Sequence, residues 1–152
     1  MFRKMQFYQR MLLIVVAWSA LIAAPQAFAT YKQITAGGFH TCGLKSNGSA
    51  ICWGGNSSGQ STVPSGMFTQ LSAGYYNTCG LKSDGSAICW GWNNNGQSTV
   101  PSSMFTQLSA GYQHTCGLKS DGSAICWGWN GLGQTTVPSG TFIQLSAGWA
   151  HT

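Results

Sequence analysis

The sequence predicts an all-β protein in which one small antiparallel sheet is written three times in succession, and three observations carry that expectation. Ala-Gly recurs at 36/37, 73/74, 110/111 and 147/148, a constant period of 37 residues. Within each period, short runs of β-forming residues alternate with Gly, Asn, Ser and Pro, and no helical spacing of apolar residues is visible. Each period also carries a Trp-Gly pair, beginning at Trp53, Trp90 and Trp127. Four-stranded units of about 40 residues with such a pair are the blades of a β-propeller, whose sheets pack face to face around an axis. Residues 31–67, 68–104 and 105–141 form three full repeats, and 142–152 supply the first strand of a fourth. A ring needs at least four blades. The expectation is therefore an incomplete ring: a fragment of a longer reading frame, or a unit that self-associates to complete a propeller.

The second repeat shows how each element is justified. Its strands are expected at "FTQLSA", "NTCGLK" and "SAICWG", with a weak fourth at "QSTV". Between the second and third strands, Ser83-Asp84-Gly85 suits a three-residue hairpin loop, a type I turn followed by Gly in the left-handed conformation. That loop sets the register. With Lys82 opposite Ser86, Leu81 faces Ala87, Gly80 faces Ile88, and Cys79 faces Cys89. The same count pairs Cys42 with Cys52 and Cys116 with Cys126. Directly opposed strand residues are close enough at Cα for a disulfide. A metal is the competing use of the six cysteines. Two Cys with nine residues between them and no CxxC pair are poor zinc spacing, so neither metal nor cofactor is expected.

Strand alternation then places Cys79, Leu81, Ala87 and Cys89 on one face of the sheet, and Ile88 and Trp90 on the other. Both sets are apolar or small, as expected for sheets covered on both sides. Trp53, Trp90 and Trp127 are therefore read as packing between blades.

The stretch "LSAGYYNTCGLKSDGSAICWGWNNNGQ" resembles a repeat of the regulator of chromosome condensation family, which carries a similar "AG…HT…L…DG…WG.N..GQ" skeleton. The resemblance extends over Tyr31 to Thr152. The short unit ending in "GQSTVP" is more similar to the family's secreted bacterial branch, which includes a β-lactamase-inhibitory propeller. It implies a seven-bladed propeller as the complete fold. It assigns no function, because activities in the family range from nucleotide exchange and chromatin binding to protein inhibition.

The first 29 residues read separately from the repeats. Arg3, Lys4 and Arg10 form a basic region, Met11 to Ala24 an apolar stretch, and Ala27-Phe28-Ala29 an A-x-A site, so a signal peptide cleaved after Ala29 is expected. The apolar run of 14 residues is short for a membrane span, so no membrane association is expected after cleavage. An even number of cysteines in an exported chain fits disulfides and a secreted, periplasmic or cell-surface location. Export also sets the nuclear roles of the family aside. After cleavage, four lysines face two aspartates, no Arg remains, and the lysines lie about one repeat apart. Nucleic acid is excluded as a partner on that distribution.

Comparing the repeats shows where they differ. One variable cluster is "GFH", "YYN", "YQH" and "WAH", between the first and second strands; the other is "GNSS", "WNNN" and "WNGL", after the third. With strands running up, down and up, both clusters lie on one rim. The candidate binding residues are Phe39, His40, Tyr75, Tyr76, Trp92, Asn93, Asn94, Tyr112, Gln113, His114, Trp129, Asn130, Leu132 and Trp149. Rigid aromatic area mixed with adaptable hydrogen-bonding groups is the chemistry of a paratope. Loop drift is the competing explanation. His40, His114 and His151 share one repeat position with Asn77, which favours a loop hydrogen bond over a metal ring.

Catalytic groups are scarce. There is no Glu, and Asp84 and Asp121 occupy turns in which Asn47 serves once instead. The chain is therefore expected to be no enzyme, but a secreted binding module for a protein or glycan. A structural or surface-assembly repeat without a specific ligand, and a truncated part of a larger enzyme or inhibitor, are the alternatives.

Overall fold

The computed structural model describes residues 28–152. The signal peptide expected over residues 1–29 lies, up to residue 27, outside the described residues. Nine strands form three separate antiparallel sheets. The first sheet holds β1 (Tyr31–Ala36), β2 (His40–Lys45) and β3 (Ala50–Gly54); the second holds β4 (Gln70–Ala73), β5 (Asn77–Leu81) and β6 (Ala87–Gly91); the third holds β7 (Gln107–Ala110), β8 (His114–Leu118) and β9 (Ala124–Gly128). They are successive blades of an open, incomplete propeller.

The hairpin register follows the turn. Leu81 opposes Ala87, Gly80 opposes Ile88 and Cys79 opposes Cys89, and the other blades repeat the pattern. Lys82 N–H donates to the Ser86 carbonyl and Gly85 N–H to that of Lys82, with Gly85 at φ 84°. Such a φ is open to glycine at little cost and strains other residues. Asp84 supports the turn by accepting from the Ser86 backbone N–H and hydroxyl at 2.9 and 2.7 Å. Asn47 performs the same service for Ser49. The three cysteine pairs are bonded as the register requires: Cys42–Cys52, Cys79–Cys89 and Cys116–Cys126.

Neither the fourth strand expected in each repeat nor the first strand of the fourth repeat forms. "QSTV" is a turn and irregular segment rather than a fourth strand. Its backbone donors are used locally: Ser98 N–H binds the Asn93 carboxamide oxygen, and Thr99 N–H the Gly96 carbonyl. Those two donors are unavailable to a ladder. The beginning of the fourth repeat, expected as a strand, is likewise irregular. It lies along β7 through side-chain bonds, described below, rather than through backbone pairing.

The core lies between blades, not within them. The first joint buries Cys42, Leu44, Phe68 and Leu71, with Ile88 and Trp90 packed against them. The second buries Cys79, Leu81, Phe105, Leu108 and Ala110 against Trp127. Each disulfide thus faces the following blade and each Ile-Trp face the preceding one. Trp90 and Trp127 also donate their indole N–H to the carbonyls of Gln60 and Gln97 in the preceding blade. Trp53, in the first blade, is 48% exposed, with no preceding blade over it among the described residues. Gly80 makes the joint possible: a Cβ there would sit 2.5 Å from the Phe68 ring.

Three further residues per joint act as clamps. Gln33 donates its amide to the Leu71 carbonyl at 2.7 Å and accepts from Leu71 N–H at 2.9 Å. Gln70 does the same to Leu108, and Gln107 to Leu145. Two residues on, Thr35, Ser72 and Ser109 accept from the backbone N–H of Ala73, Ala110 and Ala147. First strands that share no ladder are thereby joined by side chains that imitate a neighbouring backbone. Deeper in the joint, Thr78 donates to the Gln60 carbonyl and Thr115 to that of Gln97.

Candidate functional site

Each blade sends two loops to the same end, and a backbone hydrogen bond ties them together. Gly55 N–H donates to the Phe39 carbonyl, Trp92 N–H to that of Tyr76, and Trp129 N–H to that of Gln113, at 2.7 to 2.9 Å. The two variable clusters of each repeat are therefore neighbours in space. The left-handed glycine that ends each third strand, at φ 97°, 96° and 106° for Gly54, Gly91 and Gly128, makes the close approach.

Across the blades the aromatic side chains make one continuous cluster. Trp92 contacts Tyr76 edge-on, Tyr76 stacks on Phe39, and both Phe39 and Tyr76 meet Tyr75 edge-on. Tyr75 then reaches Tyr112 and Trp149, whose rings stack with centroids 4.2 Å apart. Edge-on and offset-stacked pairs are the favourable aromatic geometries, so the cluster is held by its own members. It stays open to solvent nonetheless, with Phe39 54% and Trp149 59% exposed. Tyr75, Tyr112 and Trp149, together with the Ala-Gly ends of the four inner segments, line a shallow, open depression of about 180 Å³.

The remaining candidates divide into exposed groups and supports. Trp129 lies over Gly131, outside the cluster, and Leu132 beside it is 69% exposed. Asn94 is exposed and Gln113 half-buried. Asn93 and Asn130 hold their own loops: Asn93 accepts from Ser98 N–H and donates to Thr99, and Asn130 does so with Thr135 and Thr136. Asn56 repeats the arrangement in the first blade. That Asn is the member of its loop that all three repeats share, which marks it as scaffold.

His40 and His114 correct the reading that placed them on the binding surface. They are 3% and 0% exposed. His40 Nε2 lies 2.6 Å from the Thr78 hydroxyl and His114 Nε2 2.9 Å from that of Thr152, each in the following repeat. Asn77 Nδ2 bonds Thr115 in the same way. The amide nitrogen can only donate, and Thr78 already gives its proton to the Gln60 carbonyl, so His40 is the neutral tautomer with the proton on Nε2. Burial holds the His40 pKa below the usual histidine value. It does the same for His114, where the nearby His151 contributes smaller opposing effects. These rings pin blade to blade and keep no face for a ligand.

Sequence reasoning passed over the buried Gln60, Gln97 and Gln134, whose side-chain oxygens cap the variable loops by accepting from the N–H of Ser58, Asn95 and Leu132. Their identity in every repeat was the available signal.

Charge is segregated along the blade. Every charged side chain among the described residues is Lys32, Lys45, Lys82, Asp84, Lys119 or Asp121. Five of these flank or occupy the hairpin turns opposite the aromatic rim, and Lys32 stands at the same end, next to Tyr31, which pairs with Lys45. Hydrogen bonds from Ser86 and Ser123 hold the two aspartates below the usual carboxylate range. The rim itself bears no charged side chain.

An open propeller, stapled by disulfides and offering an aromatic rim, is a repeat scaffold whose loops are free to specialise. The chain belongs to the regulator of chromosome condensation (RCC1) repeat family, whose model matches residues 31–60, 68–97 and 105–134. Among solved structures it is similar to the ectodomain of the receptor kinase CR4 of Physcomitrella patens, at 38% identity and TM-score 0.69, over 79% of this chain and 34% of that one. The ectodomain of the Arabidopsis thaliana receptor kinase ACR4 is 30% identical with TM-score 0.64, over 78% of this chain and 43% of that one. Prp20p of Saccharomyces cerevisiae, described with its binding to Gsp1p and histones, shares the fold at 15% identity and TM-score 0.64, over 78% of this chain and 42% of that one. The chain thus spans well under half the length of each. Among curated proteins none matches it.

Proposed function

We propose that this protein is an exported, non-catalytic binding module that recognises a protein or glycan through the aromatic rim. The observation that carries the reading is the cluster of Phe39, Tyr75, Tyr76, Trp92, Tyr112 and Trp149, in which Phe39 and Trp149 are exposed and the other four half-buried, on loops locked in place by backbone bonds. Exposed aromatics on a rigid support bind at low entropic cost, because little side-chain freedom remains to be lost. Residues shared by every repeat, such as Gln60, Gln97 and Gln134, hold the scaffold, and the aromatic positions that differ face the rim. Export is supported by the leader-like first 29 residues and by the three disulfides, which form and persist in oxidising compartments. Among the described residues, no helix is long and apolar enough to cross a membrane. The absence of catalytic groups is part of the proposal: the buried histidines are engaged between blades, and the two aspartates in turns.

The test is capture from the extracellular fraction of the source by immobilised protein, with Trp92→Ala/Tyr76→Ala as the rim variant and Lys82→Ala, at the opposite end, as the control. Loss of capture in the rim variant alone, with the disulfides intact, is the expected result. Capture that survives the rim changes overturns the reading.

A further inference from the structure

Resting on the rim reading, the charge segregation narrows the ligand: we infer that the rim takes a neutral, polyhydroxylated ligand of the glycan class, with a sugar ring seated over Tyr75, Tyr112 and Trp149. The rim combines two chemistries and lacks a third. It has contiguous aromatic rings, from Trp92 through Tyr76 and Tyr75 to the Tyr112–Trp149 stack, which leaves the outer face of exposed Trp149 open. It has uncharged hydrogen-bonding groups: the Asn94 and Gln113 amides, the tyrosine hydroxyls, and the indole N–H groups of Trp92 and Trp149. It has no charged side chain, whereas all six of the described chain gather at the other end.

Each part discriminates. A peptide or protein partner ordinarily presents charge, and interfaces that receive it are enriched in Arg as well as Tyr and Trp. Here the Tyr and Trp are present without any Arg. A phosphorylated, sulfated or uronate ligand needs cations where this surface offers none. A pyranose ring, in contrast, has an apolar C–H face that lies flat on an aromatic ring and an equatorial belt of neutral hydroxyls that both donate and accept. The open depression of about 180 Å³ that Tyr75, Tyr112 and Trp149 line, with Ala-Gly backbone as part of its floor, is on the scale of one such ring. The same floor carries glycine carbonyls, among them Gly74 and Gly111, which already accept only long bonds of 3.2 Å from Gly38 and Tyr75.

Affinity electrophoresis tests the inference with the whole protein, recovered from an oxidising compartment, in native gels containing neutral polysaccharides (a β-glucan, a mannan, a galactan and a xylan) or a polyuronate. The expected result is retardation by at least one neutral polysaccharide. It should be unchanged from ~50 to ~500 mM salt, a range that cuts the screening length about threefold. Retardation should fall tenfold or more in Trp149→Ala and Tyr112→Ala and persist in Tyr112→Phe, which keeps the ring. Failure of all four neutral polysaccharides, or retardation by the polyuronate alone that salt abolishes, overturns the inference. Should the rim still capture a protein under those outcomes, the rim reading stands and the glycan assignment falls. Intrinsic fluorescence and the absence of free thiols establish that each variant is folded.

Discussion

The glutamine clamp gives the sharpest test of how the blades are held. Gln70→Ala removes two hydrogen bonds to Leu108, of 3.0 and 2.9 Å, and leaves a backbone N–H and carbonyl in a part-buried joint without those partners. A typical hydrogen bond contributes about 1 kcal/mol net, and partially orphaned backbone groups add to the loss, so the cost is about 2–3 kcal/mol. The chain contains its own control. Gln144 occupies the same repeat position but is exposed, and its replacement by Ala should stay within about 0.5 kcal/mol. Urea unfolding under oxidising conditions, followed by tryptophan fluorescence, reads both. With a slope of about 1–3 kcal/mol/M the Gln70 midpoint should fall by roughly 1 M or more. Equal midpoints for the two variants would refute the clamp and assign inter-blade cohesion to apolar contact alone.

Other consequences follow from the same joints. Reducing Cys79–Cys89, or replacing both by Ala, should cost about 2–3 kcal/mol by loop-closure entropy, read as a lowered denaturation midpoint. Gly80→Ala drives a methyl into the Phe68 ring and should destabilise by about 1–3 kcal/mol, whereas Gly59→Ala meets no neighbouring atom within 4 Å and should cost mainly through its φ of 80°. His40→Asn should be tolerated, since Asn77 already does that work in the second blade, while His40→Ala should leave the Thr78 hydroxyl without its donor and lower stability. Stability should also decline with acid. His40 and His114 have folded pKa values below the ordinary 6.5, so as pH falls below about 6.5 the unfolded chain takes up protons that the folded chain refuses. The contribution is complete above that value and lost as pH falls through the folded pKa. A flat stability profile between pH 7 and 5, or one unaltered in the His40→Asn/His114→Asn double variant, would contradict this account. The aspartates respond lower: their depressed pKa values place their loss of stabilisation below the ordinary carboxylate value of 3.8.

Much of this molecule is local, and local features were readable from the chain. The Ser-Asp-Gly loop fixes a hairpin because its glycine accepts a left-handed φ, and the strands it joins then have one register. Three disulfides, two sheet faces and the convergence of the variable loops all follow from counting residues outward from that turn. The family skeleton was visible for the same reason, since an equivalent turn recurs every 37 residues. Where counting misled, the cause was competition for backbone donors: "QSTV" has the look of a strand, but Asn93 and Gly96 engage its N–H groups before any neighbour can. The histidines misled because they end a variable triplet, next to an invariant Thr, and were grouped with its rim-facing members although their side chains turn into the joint.

Only the tertiary structure decided what lies between blades. Gln70 and Leu108 are 38 residues apart, as are His40 and Thr78, and no local preference encodes either contact. The packing of one blade on the next assigns Gln33, Gln70 and Gln107 to clamping, His40 and His114 to a buried proton donation, and Tyr75 to the centre of the aromatic cluster rather than to a separate loop. Periodicity determined what each repeat is; the direction in which one sheet stacks on another determined which side chains were left facing water, and those are the ones available to a partner.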